Sequence, residues 1–526
     1  GDQPVAWFVL DVDLHGSGRL EYANVWPWAV VNRSIAVFHG AERSHAFLSI
    51  DGTPLEATIP AHSGKPLVLE QGDLTIVLCN QAQIDATYHD DKHVYVGVSG
   101  FDAAGHPLAA EGYSTAWKIS AKGKVEELKI AHERHAKKGS ATLKPETWQV
   151  CGSEAHVSGD SPRFASLEGP QSLVNCGAMS GYGWYRIKMP RAAGRTYTVH
   201  IPQLADRGHM FVGGRLIRMY GAGPGARHGP FDLKLDKDHP TLVALVDNLG
   251  RFAEGNQFDM PKGLCGHVYA VKEIRSARPK IAMAKPVNPF TLRGYIARRA
   301  STQLSDTRQV IWTFNHPKKT PIALEVSGAA ASGTFVLNDQ PVAYCAGSTG
   351  GMHDRFLIDA ETKGFKRGHN VLRFAPDSRA DGLCEEIAKR TTIYDCVETL
   401  SENAQWGFAR WEPPAVSMYD DIDAGAMKSM KGAPCWWRGE VAIDAPQSNH
   451  ESLWLDTAGL TKGQAFINGQ NLGRYFTATA DGRSVGPQTR LFVPWPWIKP
   501  GKGNEIVLFD EHGAAPARVR LLRDFA

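Results

Sequence analysis

Apolar and polar residues alternate with period two along almost the whole chain. Residues 34–38 (SIAVF), 74–78 (LTIVL), 94–98 (VYVGV) and 197–201 (YTVHI) follow this pattern, as do 322–326 (IALEV), 371–374 (VLRF) and 506–509 (IVLF). Each run is short and bounded by Gly, Pro, Asn or Asp, the pattern of strands in stacked sandwiches. Helical periodicity is scarce, and only 384–391 (CEEIAKRT) reads as a short helix. The βα alternation that an eight-fold barrel needs over about 250 residues is absent. The expected fold class is all-β, as tandem antiparallel β-sandwich or jelly-roll domains.

One layout recurs. Residues 205–216 (ADRGHMFVGGRL), 330–342 (AASGTFVLNDQPV) and 459–472 (GLTKGQAFINGQNL) each lead from a polar turn into an apolar strand. That strand ends in Gly-Gly, Asn-Asp or Asn-Gly, pairs that accept the positive φ of a type I′ hairpin. Each copy is followed by a closing strand: 241–248, 368–374 and 503–509. Three copies, about 125 residues apart, predict three related jelly rolls. The expected domains are 1–140 (a β-sandwich with its own turn at Asp51-Gly52), 141–285, 286–400 (jelly-roll-like) and 401–526. Residues 277–290 contain three prolines and read as an extended linker.

Composition narrows the function classes. At 526 residues and roughly 100–200 residues per domain, three to five domains fit. The 58 Lys+Arg against 55 Asp+Glu give a net charge of +3, without the basic footprint of nucleic-acid binding. The longest apolar stretches, such as 7–10 and 242–246, are too short for a membrane helix. The start, Gly-Asp-Gln-Pro, fits a tag remnant, a processed end or a cut within a longer chain. The eight Cys (79, 151, 176, 265, 345, 384, 396 and 435) lack zinc spacing. They leave buried thiols and one or two loop disulfides both open.

Residues 454–476 (WLDTAGLTKGQAFINGQNLGRYF) resemble the C-terminal jelly roll of glycoside hydrolase family 35 β-galactosidases. The family core reads KG-x-x-W/F-I/V-N-G-x-x-L/I-G-R-Y-W. The continuation, 486–494 (GPQTRLFVP), Trp497-Ile498 and Gly503-Asn504, is similar as well. Residues 181–186 (GYGWYR), 247–251 (DNLGR) and 262–264 (KGL) resemble the family's preceding jelly roll. This chain departs at 252–255 (FAEG), where the family has N-Y-G. The resemblance is good over 141–276 and 401–526, vague over 286–400 and vaguer over 1–140. In the family, two glutamates about 5–5.5 Å apart do retaining chemistry, and both project from a barrel that precedes the β domains. Neither barrel nor motif is found here, so no catalytic residue is carried over.

Three readings follow. The first is a non-catalytic β region or subunit of a β-galactosidase-like hydrolase, bracing a catalytic barrel on the same or another polypeptide. The second is a stand-alone carbohydrate-binding or structural protein. The third is a hydrolase with an unrecognised site at a domain interface. Whether the chain is an enzyme stays open. Expected partners are a galactoside or polysaccharide and the barrel, with no nucleic acid and no membrane. The expected setting is extracellular or periplasmic.

Candidate carbohydrate-binding residues are Trp406, Trp411, Trp436 and Trp437, because aromatic faces stack on pyranose rings. Trp406 and Trp411 flank Pro413-Pro414 and are expected in an exposed loop. Of the adjacent Trp436 and Trp437, at most one should face a core, and Trp454 should be in one. Gly463, Asn468, Gly469, Gly473 and Arg474 are expected to be structural. Asn468-Gly469 should form the turn, Gly473 should permit close backbone approach, and Arg474 should pair with a carboxylate or cap carbonyls. The His89–His93 segment and the acidic stretch Tyr419, Asp420, Asp421 and Asp423 read as solvated loops. Glu385-Glu386 and Asp510-Glu511, adjacent in sequence, do not face one another across a substrate. No metal or cofactor is expected.

Overall fold

The computed structural model describes residues 8–61, 64–101, 106–110, 112–128, 141–250, 260–285, 307–329, 331–345, 354–377, 382–422, 433–446, 451–486 and 488–525. Among the described residues the regular structure is nearly all strand, with an eight-residue helix at Leu383–Arg390 where a helix is expected and two short helices at Gln81–Asp85 and Glu154–Ser158. It divides into two compact units. One comprises 1–142, 444–454 and 522–526; the other comprises 143–443 and 455–521.

In the first unit, three four-stranded sheets carry the N-terminal residues. The central one orders Trp26–Val31, Ile35–Gly40, Leu74–Asn80 and Leu67–Gln71. Its strand Leu74–Asn80 is buried throughout, because separate apolar clusters lie on its two faces. Ile35–Gly40 and Leu74–Asn80 run parallel, a local exception to the antiparallel expectation. The hairpin His45–Ile50/Thr53–Thr58 joins another sheet, so the chain crosses over before it returns. That hairpin turns at Asp51 (φ 47°) and Gly52 (φ 77°).

The second unit stacks four sheets in sequence. Sheet one runs Asp420–Asp421, Trp148–Gly152, Cys435–Ile443, Lys502–Asp510, Lys462–Ile467 and Gln470–Phe476. Sheet two runs Ala165–Leu167, Gln405–Arg410, Gly181–Lys188, Thr241–Asn248, Arg207–Val212 and Arg215–Gly221. Sheet three runs Phe231–Lys234, Thr196–His200, Tyr269–Glu273, Thr391–Thr399, Ile322–Val326 and Asp354–Ile358. Sheet four contains Pro279–Ala284, Thr307–His316, Gly368–Pro376, Gly333–Leu337 and Gln340–Cys345.

Apolar layers fill each gap. Val243 and Leu245 face Trp436, Phe466 and Phe509 between sheets one and two. Leu242, Ala244 and Val246 of the same strand face Val199 and Leu233 between sheets two and three. Trp312, Phe335 and Phe374 pack against Leu324 between sheets three and four. A continuous apolar run such as 241–246 is therefore a strand buried on both faces.

Strands pair across the sequence divisions. Gln405–Arg410 pairs with Gly181–Lys188, and Trp148–Gly152 pairs with Cys435–Ile443. Of the expected linker, Pro279–Ala284 is extended but is the edge strand of sheet four. Residues 286–290 lie outside the described residues. All three repeat turns take positive φ: Gly213 and Gly214 (54° and 75°), Asn338 and Asp339 (46° and 66°), Asn468 and Gly469 (49° and 78°). All eight Cys are free thiols.

Candidate functional site: a buried charged junction

Alternation along the strands decides what enters the layer between sheets one and two. Phe466 faces that layer, so Gln464 and Lys462 do too. Likewise Val243 and Leu245 bring Asp247, Phe211 brings His209 and Arg207, and Trp184 brings Tyr182. Arg474 stands opposite Gln464. The apolar layer thus ends in a cluster of polar and charged side chains from five strands, completed by Glu511 just after a sixth, Lys502–Asp510.

Lys462 is fully buried and ion-pairs with both Asp247 and Glu511. Its Nζ also donates to Tyr182 Oη at 3.1 Å, and Tyr182 donates to Glu511 Oε1 at 2.9 Å. Arg474 Nη2 donates to Asp247 Oδ1 and to the Asn248 carbonyl, both at 2.7 Å. Arg207 lies over the Phe476 ring and donates Nη1 to the carbonyls of Ala222 and Pro224. Burial pushes the Tyr182 phenol up and the His209 imidazole down. Burial also opposes ionisation of Glu511, but Lys462 above all, then His209 and Arg207, hold its carboxyl well below the usual range. Such a site stays charged only because every charge has a partner.

On the far side of the cluster, Glu511 Oε2 faces His209 Nε2 at 3.2 Å, His512 Nε2 at 3.9 Å and Arg207 Nε at 3.8 Å. The three donor atoms of His209, Glu511 and His512 lie within 4.8 Å of one another and could ligate a metal ion. A second buried pair, Lys262 Nζ to Asp206 Oδ1 at 2.7 Å, lies in the same unit.

The motif residues fall into place around this junction. A Cβ on Gly463 would sit 1.6 Å from the Phe509 carbonyl oxygen, so the residue after Lys462 can only be glycine. Gly473 has nothing within 4 Å of a Cβ. Its φ of 115° requires glycine, not the close approach expected from sequence. Arg474 both pairs with a carboxylate and caps a carbonyl. Asn468 donates to the Trp497 carbonyl at 2.7 Å and to Asn504 Oδ1 at 2.8 Å, tying the turn to the start of Lys502–Asp510.

The tryptophans differ from the expectation. Trp406 is not in an exposed loop: pairing continues through Arg410, so it lies mid-strand, 3% exposed, with Nε1 donating to the Ser401 carbonyl. Trp411 is half-buried and stacks on Trp436, with centroids 4.8 Å apart. Trp436 and Trp437 are both buried, because sheet one is covered on both faces. Trp454 is half-buried. Most of the large exposed aromatics, including Trp26, Trp28, Tyr22 and Phe47, belong instead to the first unit, with Phe492 exposed in the second.

The remaining candidates are surface or turn features. Asp90 accepts from the backbone N–H groups of Lys92 and His93 and from Tyr95 Oη. Slight burial opposes its ionisation, yet these bonds bring its carboxyl down to about 2. Asp421 accepts from Gln149, and Asp423 lies outside the described residues, as do 252–255. Glu385 pairs with Arg308 and Glu386 with Arg390. Asp510 accepts from Thr461, His512 and Ala514, fixing the turn that follows it.

Residues 434–504 match the family described as the β-galactosidase galactose-binding domain. This stretch is similar to the C-terminal domain region of β-galactosidases. The chain is 32% identical over 105 residues to β-galactosidase 8 of Oryza sativa subsp. japonica, covering 20% of this chain and 14% of that one. It is 37% identical over 84 residues to human β-galactosidase-1-like protein 2, covering 16% and 12%. The chain therefore spans less than a fifth of these relatives' length. A rhamnosidase from Novosphingobium sp. PP1Y aligns over 48% of this chain and 25% of its own at 12% identity, with a TM-score of 0.16. That score carries no argument. Over this stretch the chain is similar to a glycosidase-associated β domain, and no described helix is long and apolar enough to cross a membrane.

Proposed function

We propose that this chain is a non-catalytic β region of a β-galactosidase-like glycoside hydrolase, whose jelly rolls brace a catalytic barrel. One observation carries the reading. The residues that resemble the family (Tyr182, Asp247, Lys462, Gly463 and Arg474) converge on a buried junction between two sheets. Lys462, Asp247, Arg474 and Glu511 pair with one another across the two sheets. The division into domains at about 140, 285 and 400 belongs to the same reading, with sheets two and three serving two domains each. A galactoside or polysaccharide is the proposed ligand, consistent with the galactose-binding description of 434–504, and an extracellular or periplasmic setting accompanies it. Trp406 and Trp437 are too deeply buried to stack on a sugar.

The test is an assay of the chain, purified through at least two orthogonal steps, with an aryl β-galactoside. No turnover is expected. Turnover that co-purifies with the chain overturns the non-catalytic role.

A further inference from the structure

We infer that His209, Glu511 and His512 form a transition-metal site, best suited to zinc, which pins sheet two to the turn that follows sheet one. The inference is independent of the glycosidase reading. His209 is a mid-strand residue on Arg207–Val212, while Glu511 and His512 follow Lys502–Asp510. Neighbours on an extended strand point apart, but Asp510 Oδ1 accepts the His512 backbone N–H and bends the chain. Both side chains then turn into the same space.

All three residues are at least nine-tenths buried. None of His209 Nδ1 and Nε2, Glu511 Oε2 and His512 Nε2 makes a hydrogen bond. Buried polar atoms rarely go without a partner, and several facing one point call for a bound species. The donor set is two imidazoles and one carboxylate oxygen, a zinc combination.

The neighbouring cations decide which ion fits. Lys462 engages the other oxygen of Glu511 and is shared with Asp247. Arg207 Nε lies 3.8 Å from Glu511 Oε2. An ion relying on oxygen alone has one carboxylate against two cations, which excludes calcium and magnesium. Bonding to two imidazoles must offset the repulsion, and that selects a nitrogen-seeking metal.

The test uses the full chain, freed of metal by chelation and returned to equimolar zinc. About one tightly held zinc per chain is expected by mass spectrometry, with a raised melting temperature. X-ray absorption on the unmodified chain should show two imidazole nitrogens at about 2.0–2.1 Å and no sulfur. His209→Gln and His512→Gln should each weaken binding by roughly tenfold or more, by analogy with the loss seen even for outer-shell partners. A chain that takes up no zinc overturns the inference and leaves water as the occupant. Sulfur in the absorption spectrum, or binding undiminished in both folded variants, overturns it by placing the metal elsewhere. Should either variant fail to fold, the absorption spectrum of the unmodified chain decides alone.

Discussion

Lys462 loses two buried ion pairs at once if truncated. It is the shared partner of Asp247 and Glu511, all three of them fully buried. Lys462→Met leaves two buried carboxylates short of a counter-charge and should cost about 3–5 kcal/mol in denaturant unfolding. Gly463→Ala forces the backbone away from Phe509 and should also destabilise, by about 1–3 kcal/mol as overpacking does. His200 gives the pH dependence. It is fully buried, accepts from or donates to Tyr220 Oη at 2.9 Å and lies 3.6 Å from Glu325. Burial above all, then Arg355 and His228, brings it down to about 3. A histidine depressed in the folded chain stabilises fully above the unfolded value of about 6.5, and that stability is lost as pH falls. By pH 5 the loss from this group is about 2 kcal/mol. Melting temperatures at pH 7.5 and 5 should therefore separate, and less so in His200→Gln. Equal melting temperatures would refute the assignment.

At the scale of elements, the hairpins were the most legible feature of the sequence. Gly213-Gly214, Asn338-Asp339 and Asn468-Gly469 all take the φ their composition demands. The repeat goes deeper than the turns. Asn338 binds Asn370 Oδ1 at 2.7 Å just as Asn468 binds Asn504, so both copies use the same asparagine latch. The burial of Trp406 is not legible in the sequence, for a physical reason. Pro413-Pro414 signal a loop, but the pairing of Gln405–Arg410 with Gly181–Lys188 joins segments over 200 residues apart and leaves no local trace. Trp406→Ala should then cost about 3–5 kcal/mol as a core truncation, leaving any galactoside affinity of the folded chain unchanged. Lost affinity with an unchanged melting temperature would restore the sugar-platform expectation.

At the scale of the molecule, the second unit is a stack in which inner sheets serve two neighbours, not a row of closed sandwiches. Period-two alternation announces strands, but a strand buried on both faces, such as Thr241–Asn248, reads only as an apolar run. Its neighbours stay hidden. The charged junction was illegible for the same reason: its members are spread from 182 to 512 and meet only when two sheets stack. A fragment of 401–526 alone lacks Trp148–Gly152 from sheet one and exposes the junction face. It should show no cooperative melt by circular dichroism, whereas the whole chain should.

The residues that resemble the β-galactosidase motifs, Lys462 and Asp247 foremost, are proposed to weld sheets one and two together. A double-mutant cycle on Lys462→Met and Asp247→Asn, read by denaturant unfolding of the full chain, tests it most directly. The account predicts that each single change is severe and that the pair is less harmful than their sum by at least about 1 kcal/mol, since contacting charges couple. Simple additivity, or single changes that leave stability untouched, would contradict it.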